Sequence, residues 1–257
     1  GLAARARATA PVRLRTLMYH DVVEGNPDIY NVEPARFDEH LEAIERAVER
    51  PPAMVDELAE GDWMITFDDG GASALHAGER LARRSWRGHF FIATDMIGQL
   101  NYLDWDGVRA VAGMGHVIGS HSRTHPDRMA ACSWEQLLDE WSSSAEALTR
   151  ELGQPVRTAS VPGGLYSREV GRAAVAAGYT SLFTSLPSQR LRSIDGCRLI
   201  GRYALRRDSS AGAAAAAATG APLPWARQRA SWGLRGAVKA VAGKRYESLR
   251  RALLARR

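Results

Sequence analysis

Short apolar runs alternate along this chain with segments whose apolar residues recur every three to four positions. LRTLMYHDV (14–22) reads as a strand. After Pro34, Phe37, Leu41, Ile44 and Val48 share one face of a helix. WMITF (63–67) predicts a second strand, with ALHAGERLARR (74–84) as the helix behind it. GHFFIATD (88–95) is a third strand, followed by a helix near Trp105 to Val111, and HVIGSH (116–121) is a fourth. Ser133 opens another helix, with Gln136 three places on as in a capping box. Its expected buried stripe is Trp134, Leu138, Trp141, Ala145 and Leu148. TASVPGG (158–164) and YTSLFTS (179–185) read as strands around a helix over 167–177.

Strand then helix, repeated six or seven times, predicts an α/β fold with parallel strands. The length and even spacing favour a (β/α) barrel over an open doubly wound sheet, which places the chemistry at the C-terminal ends of the strands. No glycine-rich dinucleotide or P-loop fingerprint follows any strand. From Ser209 to Ala221 the chain is nearly all Ala and Gly and reads equally as helix or linker, and PLPW (222–225) then marks a break. Leu234, Val238 and Val241, then Tyr246, Leu249 and Leu253, lie among Arg and Lys in a basic amphipathic pattern interrupted by Gly236 and Gly243. The expected organisation is a barrel over 14–208, a connection over 209–224 and a basic helical tail over 225–257.

With 45% hydrophobic and 25% charged residues among 257, the chain has material for a sizeable core. The net charge of +5 is uneven, because 225–257 carries ten Lys/Arg against Glu247 alone and leaves the rest at −4. A mildly acidic body does not suit nucleic acid, whereas the tail suits an anionic membrane surface. Two cysteines, Cys132 and Cys197, imply no disulfide framework. No run reaches the roughly 18 apolar residues of a membrane span, and GLAARARATAPVRLR lacks the apolar core of a secretory signal. The expected location is cytoplasmic, with peripheral contact at the inner membrane face.

Three polar clusters fall at predicted strand ends: His20-Asp21, Asp68-Asp69 and HSRTH (121–125). Two histidines four apart, read as a helical turn, point the same way and can share one metal ion. Ser122 stands where a metalloprotease helix needs its glutamate, so that reading fails. A carboxylate at a neighbouring strand end is the natural third ligand. If one aspartate of the pair binds the cation, the metal cancels their repulsion and the other is left as a base. Gly70 and Gly71 let the chain turn so that both side chains reach the site.

TFDDG followed by HSRTH resembles the polysaccharide deacetylase family, the family 4 carbohydrate esterases with the nodulation-type deacetylase domain, over roughly residues 14 to 205. The resemblance implies a deformed (β/α) barrel and metal-dependent removal of an N-acetyl group from an amino sugar, in a polysaccharide or its lipid-linked precursor. It implies Asp69, His121 and His125 as ligands of a divalent metal, zinc first and Co2+, Ni2+ or Mn2+ after it. It implies Asp68 as the base that deprotonates a metal-bound water, and Gly163, after Pro162 in SVPGG, as the oxyanion donor. The family's third motif often carries an arginine two places before its proline, where Ser160 stands here, and its late leucine-x-histidine motif gives way to LIGRYAL (199–205). Arg202 is the candidate to replace that arginine or to touch substrate.

All seven histidines precede residue 127. His40 is expected on the solvent side of its helix, His76 lies inside a helix, and His89 and His116 start strands at the wrong end of a barrel. His20 alone remains as acid or substrate ligand. Asp95 and Trp105, after the third strand, are candidates to face a sugar ring. Two further readings stay open: a deformylase or amidase on a small amino-sugar or secondary-metabolite substrate, and a non-catalytic carbohydrate-binding relative.

Overall fold

The computed structural model describes residues 12–233. Six strands, β1 (Arg15–Tyr19), β2 (Trp63–Phe67), β3 (His89–Ile92), β4 (Val117–Ser120), β5 (Thr158–Ser160) and β6 (Ser181–Phe183), lie side by side in chain order and in parallel. All five residues of β2 are buried, as expected for a parallel strand covered on both faces. Helices α1 (Pro34–Ala47), α2 (Ser73–Ala82), α3 (Trp105–Gly113), α4 (Trp134–Leu152) and α5 (Arg168–Ala176) connect successive strands.

A short hairpin of β7 (Arg192–Ile194) and β8 (Cys197–Ile200) follows, then β9 (Tyr203–Ala204). β8 pairs with β6 and β9 pairs with β1, so one segment closes the sheet by changing partners at Gly201–Arg202. The product is the deformed parallel barrel expected from the sequence. Only glycine fits at 201, where a Cβ would stand 2.5 Å from the Leu186 carbonyl oxygen.

Strand alternation sorts the core into two layers. Trp63, Ile65 and Phe67 face the helices, while Met64, with Leu14, Phe91, Phe183 and Ile200, fills the interior. By the same alternation Thr66 and Asp68 point inward.

Helix ends follow the sequence. Ser133 and Gln136 form the predicted capping box of α4, and Gly153 closes that helix in the left-handed conformation. Its buried face differs from the expected stripe: Leu137, Glu140, Trp141, Ser144 and Leu148 are buried, Leu138 and Ala145 are half-buried, and Trp134 is 45% exposed. The helix turns polar Glu140 and Ser144 inward because Glu140 bonds the loop after β4 and Ser144 bonds Ser120 at that strand's end, a demand that apolar periodicity does not register.

The Ala/Gly stretch forms α6 (Ala211–Ala218), capped by Ser210, and it packs on α1 with Ala214, Ala217 and Ala218 fully buried. The segment expected as a connection is therefore packed structure. It also covers the side of α1 expected to face solvent, so His40 is buried, with Nε2 2.8 Å from the Ser209 carbonyl and Nδ1 3.2 Å from the Tyr19 hydroxyl. Residues 222–233 are helical, and the tail from Leu234 onward lies outside the described residues.

Candidate active site

Asp68 ends β2 on the inward face, its N–H donating to the Tyr19 carbonyl at 3.0 Å. Asp69 takes a φ of 74°, a region few non-glycine residues adopt, and this breaks the alternation so that both carboxylates serve one end of the barrel. Gly70, φ 78°, continues the turn. Gly71 lies against the carboxylate of Asp21, which a Cβ would strike, while Asp21 itself accepts from the Ser73 hydroxyl at 2.6 Å.

HSRTH is a loop rather than the helical turn its spacing suggested. Ser122 and His125 have φ of 65° and 56°, so the histidines converge through two left-handed residues. Ser122 is a scaffold, its hydroxyl accepting from the His125 N–H at 3.1 Å and its own N–H donating to the Ser120 hydroxyl at 3.0 Å. Glu140 of α4 accepts the N–H groups of Arg123 and Thr124 at 2.9 and 2.8 Å and the Thr124 hydroxyl at 2.5 Å. Strained backbone of this kind persists where its surroundings over-determine it.

Asp69, His121 and His125 come together, their ligand atoms all within 4.8 Å of one another. Oδ1 of Asp69 is 3.2 Å from Nε2 of His121 and 3.3 Å from Nε2 of His125. Ligands about 2.0 Å from a tetrahedral ion are separated by about 3.3 Å, so these donors fit one small divalent cation. Nδ1 of His121 faces the Ser160 carbonyl at 2.9 Å. That carbonyl only accepts, so it draws the proton to Nδ1 and leaves Nε2 as the metal-binding lone pair. Without a cation the Nε2 positions can instead carry hydrogen: burial raises the Asp69 carboxyl, but hydrogen bonds from the two imidazoles hold it well below the usual carboxylate range.

Arg202 is fully buried and out of a substrate's reach, which corrects its reading as a substrate contact. From the β8–β9 crossing its guanidinium grips Asp68 in a two-pronged pair at 2.7 and 2.8 Å. It also donates to the Ser160 hydroxyl at 2.8 Å, to Thr66 Oγ1 at 3.2 Å and to the Thr184 carbonyl at 3.2 Å. Ser160 leaves the room that this guanidinium occupies. Burial pushes the Asp68 carboxyl up, but the charge of Arg202, then that of His121, and the Arg202 hydrogen bonds bring it below its ordinary value.

The other expected residues divide. His20 follows β1 and lies against Tyr30, ring centroids 4.7 Å apart and tilted by 40°, and its charge is felt by both Asp68 and Asp69. Its buried Nδ1 has no hydrogen-bond partner among the described residues. Pro162 is buried at the start of a tight turn, and Gly163, φ 61°, is exposed, with room for no Cβ against the Asp127 carbonyl. Asp95 is paired with Arg123 of the histidine loop at 3.2 Å. Trp105 packs against the core from the first turn of α3. His89 and His116 are structural, accepting backbone N–H groups of Val55 and Gly88 at 3.1 Å each. The sequence reading missed Glu140 and Tyr102. Tyr102 bridges Gly71, and burial, then Asp69 and Asp21, raise its phenol.

The family model for polysaccharide deacetylase matches residues 56–182. Comparison with curated protein sequences gives no match. Among solved structures, the Streptococcus pyogenes deacetylase PplD in complex with acetate is 19% identical, with a TM-score of 0.69 over 79% of this chain and 96% of that one. IcaB from Ammonifex degensii is 20% identical, with a TM-score of 0.70 over 81% and 97%. BC0361, a polysaccharide deacetylase from Bacillus cereus, is 17% identical, with a TM-score of 0.72 over 81% and 69%. At these identities the likeness establishes the fold.

Proposed function

This chain belongs to the polysaccharide deacetylase family through residues 56–182, and on that premise we propose that it removes the N-acetyl group from an amino sugar by metal-assisted hydrolysis. One observation carries the reading: Nε2 of His121 and of His125 meet a single Asp69 oxygen at 3.2 and 3.3 Å, beside a second carboxylate held apart by Arg202. A mere binder of carbohydrate has no use for that second carboxylate.

Asp69, His121 and His125 would hold the cation, for which zinc suits two imidazoles and a carboxylate, with Co2+, Ni2+ or Mn2+ as alternatives. When bound, it supplies Lewis-acid activation of a water and of the amide carbonyl. Asp68, ionised at neutral pH because of Arg202, takes the proton of the attacking water. The N–H of Gly163 would donate to the oxygen that becomes negative, a contact commonly worth about 3–4 kcal/mol of barrier. His20 hands a proton to the departing amine, the acid role for which the missing late histidine leaves no other candidate.

The substrate is an N-acetylated amino sugar in a polysaccharide or its lipid-linked precursor. The basic tail fits docking to anionic lipid at the cytoplasmic membrane face; equal flotation of the full chain and of a chain ending at residue 233 with anionic liposomes would rule that out. The activity test is acetate release from a panel of N-acetylated oligosaccharides. The proposal expects release that chelator and Asp68→Asn both abolish. Formate release from a formylated amine, with no acetate from any glycan, would favour deformylation instead.

A further inference from the structure

The helix over residues 222–233 lies beyond the family match and is fastened to the barrel by one face. Trp225 is buried, packs at a tilt against Tyr203 with ring centroids 5.4 Å apart and donates its indole N–H to the Ala217 carbonyl at 3.1 Å. Three residues on, the Gln228 amide spans the edge of β9, accepting the Ala204 N–H at 2.8 Å and donating to the Ala204 carbonyl at 2.9 Å. Positions 225, 228 and 232 share a helical face, and seven residues advance the helix about 10 Å. The next side chain on this face is Trp232, which comes up against the Pro-Gly-Gly turn.

A Cβ on Gly164 would stand 2.6 Å from Cη2 of Trp232 and 2.9 Å from the Ser185 side chain. The second glycine of the turn is thus the one that admits the indole, while the first is fixed by the Asp127 carbonyl. Trp232 is half-buried, and its ring tip lies beside the turn that carries Gly163. Trp225 and Gln228 already fasten the helix, so its hold on the barrel does not depend on Trp232 alone. Trp105, the aromatic first expected to meet a sugar, is spent on the core.

We infer that Trp232 forms one wall of the substrate subsite and stacks on the pyranose ring whose acyl group enters the site. A pyranose has an apolar C–H face, and a flat indole is a rigid partner for it. Stacking there fixes the ring against Gly163, so that the amide carbonyl arrives already oriented. The inference rests on the proposed deacetylation, and it makes the C-terminal helix a determinant of which sugar is accepted.

The test compares Trp232→Ala and Trp232→Phe on two probes, an N-acetylglucosamine pentamer and 4-nitrophenyl acetate, which has no sugar ring. Trp232→Ala is expected to raise KM for the pentamer about tenfold, with kcat/KM falling at least fivefold more on the pentamer than on the aryl ester. Trp232→Phe should restore most of the loss. Equal falls on both probes without rescue by phenylalanine would make Trp232 a prop of the glycine turn and overturn the inference, as would an unchanged pentamer KM. Wild-type protein that hydrolyses the aryl ester but releases no acetate from any N-acetylated oligosaccharide would instead sink the proposed function, and this inference with it.

Discussion

Replacing Arg202 by methionine removes one partner of a pair that has no access to solvent. Asp68 would keep its negative charge inside the barrel, with the Ser160 hydroxyl as the one side-chain hydrogen-bond donor left to it among the described residues. Breaking a buried pair in this way costs about 3–5 kcal/mol, most of it the penalty of the stranded charge. For a chain of this size that lowers Tm by on the order of 10 °C. The double variant Asp68→Asn, Arg202→Met has no stranded charge and should be more stable than Arg202→Met alone, despite carrying one more change. Thermal melts and urea titrations of the wild type, both single variants and the double, all in chelator, give the coupling directly. In Arg202→Met the acid limb of the pH–rate profile should also move to higher pH, because Asp68 loses the charge that keeps it ionised. A loss below about 1 kcal/mol in Arg202→Met, or a double variant equal to the sum of the singles, would refute the reasoning.

Burial holds the His89 imidazole down to about 4. Below its unfolded value near 6.5 the unfolded chain takes up a proton that the folded chain refuses, so stability present above pH 6.5 is lost as pH falls toward 4, by about 3 kcal/mol in all. His89→Phe should flatten that decline in melts across pH 4–7; parallel declines in the two proteins would count against it. Glu140→Ala strands the N–H groups of Arg123 and Thr124 and should weaken metal binding about 10–100-fold in competitive chelator titrations, and unaltered affinity would dismiss its bracing role. His20→Ala should lower kcat about 10²–10⁴-fold with metal content intact, and unchanged turnover would remove His20 from the mechanism.

The strands and the two motifs were legible because parallel strands read as apolar runs and because Asp-Asp-Gly-Gly at a strand end has few structural uses. The ligand set followed from residue types and the family resemblance, although the chain brings the histidines together through left-handed loop residues instead of a helical turn. Arg202 was visible only as an arginine inside an apolar segment; its contact with Asp68 depends on the partner switch at Gly201–Arg202, a tertiary event with no local signature. The same limit explains His40, whose covering helix α6 is distant in sequence, and Glu140, which breaks the apolar stripe of α4 to serve a loop. Trp105 and Asp95 were placed by their position after a strand, and each has a closer partner in the core or in Arg123.

The division of labour between two adjacent aspartates is the central claim, and metal content measured beside acetate release in Asp68→Asn and Asp69→Asn tests it most directly. Asp68→Asn should retain about one equivalent of divalent metal while losing at least about 10²-fold in turnover, and Asp69→Asn should lose both. Full turnover in Asp68→Asn, or undiminished metal in Asp69→Asn, would contradict the account.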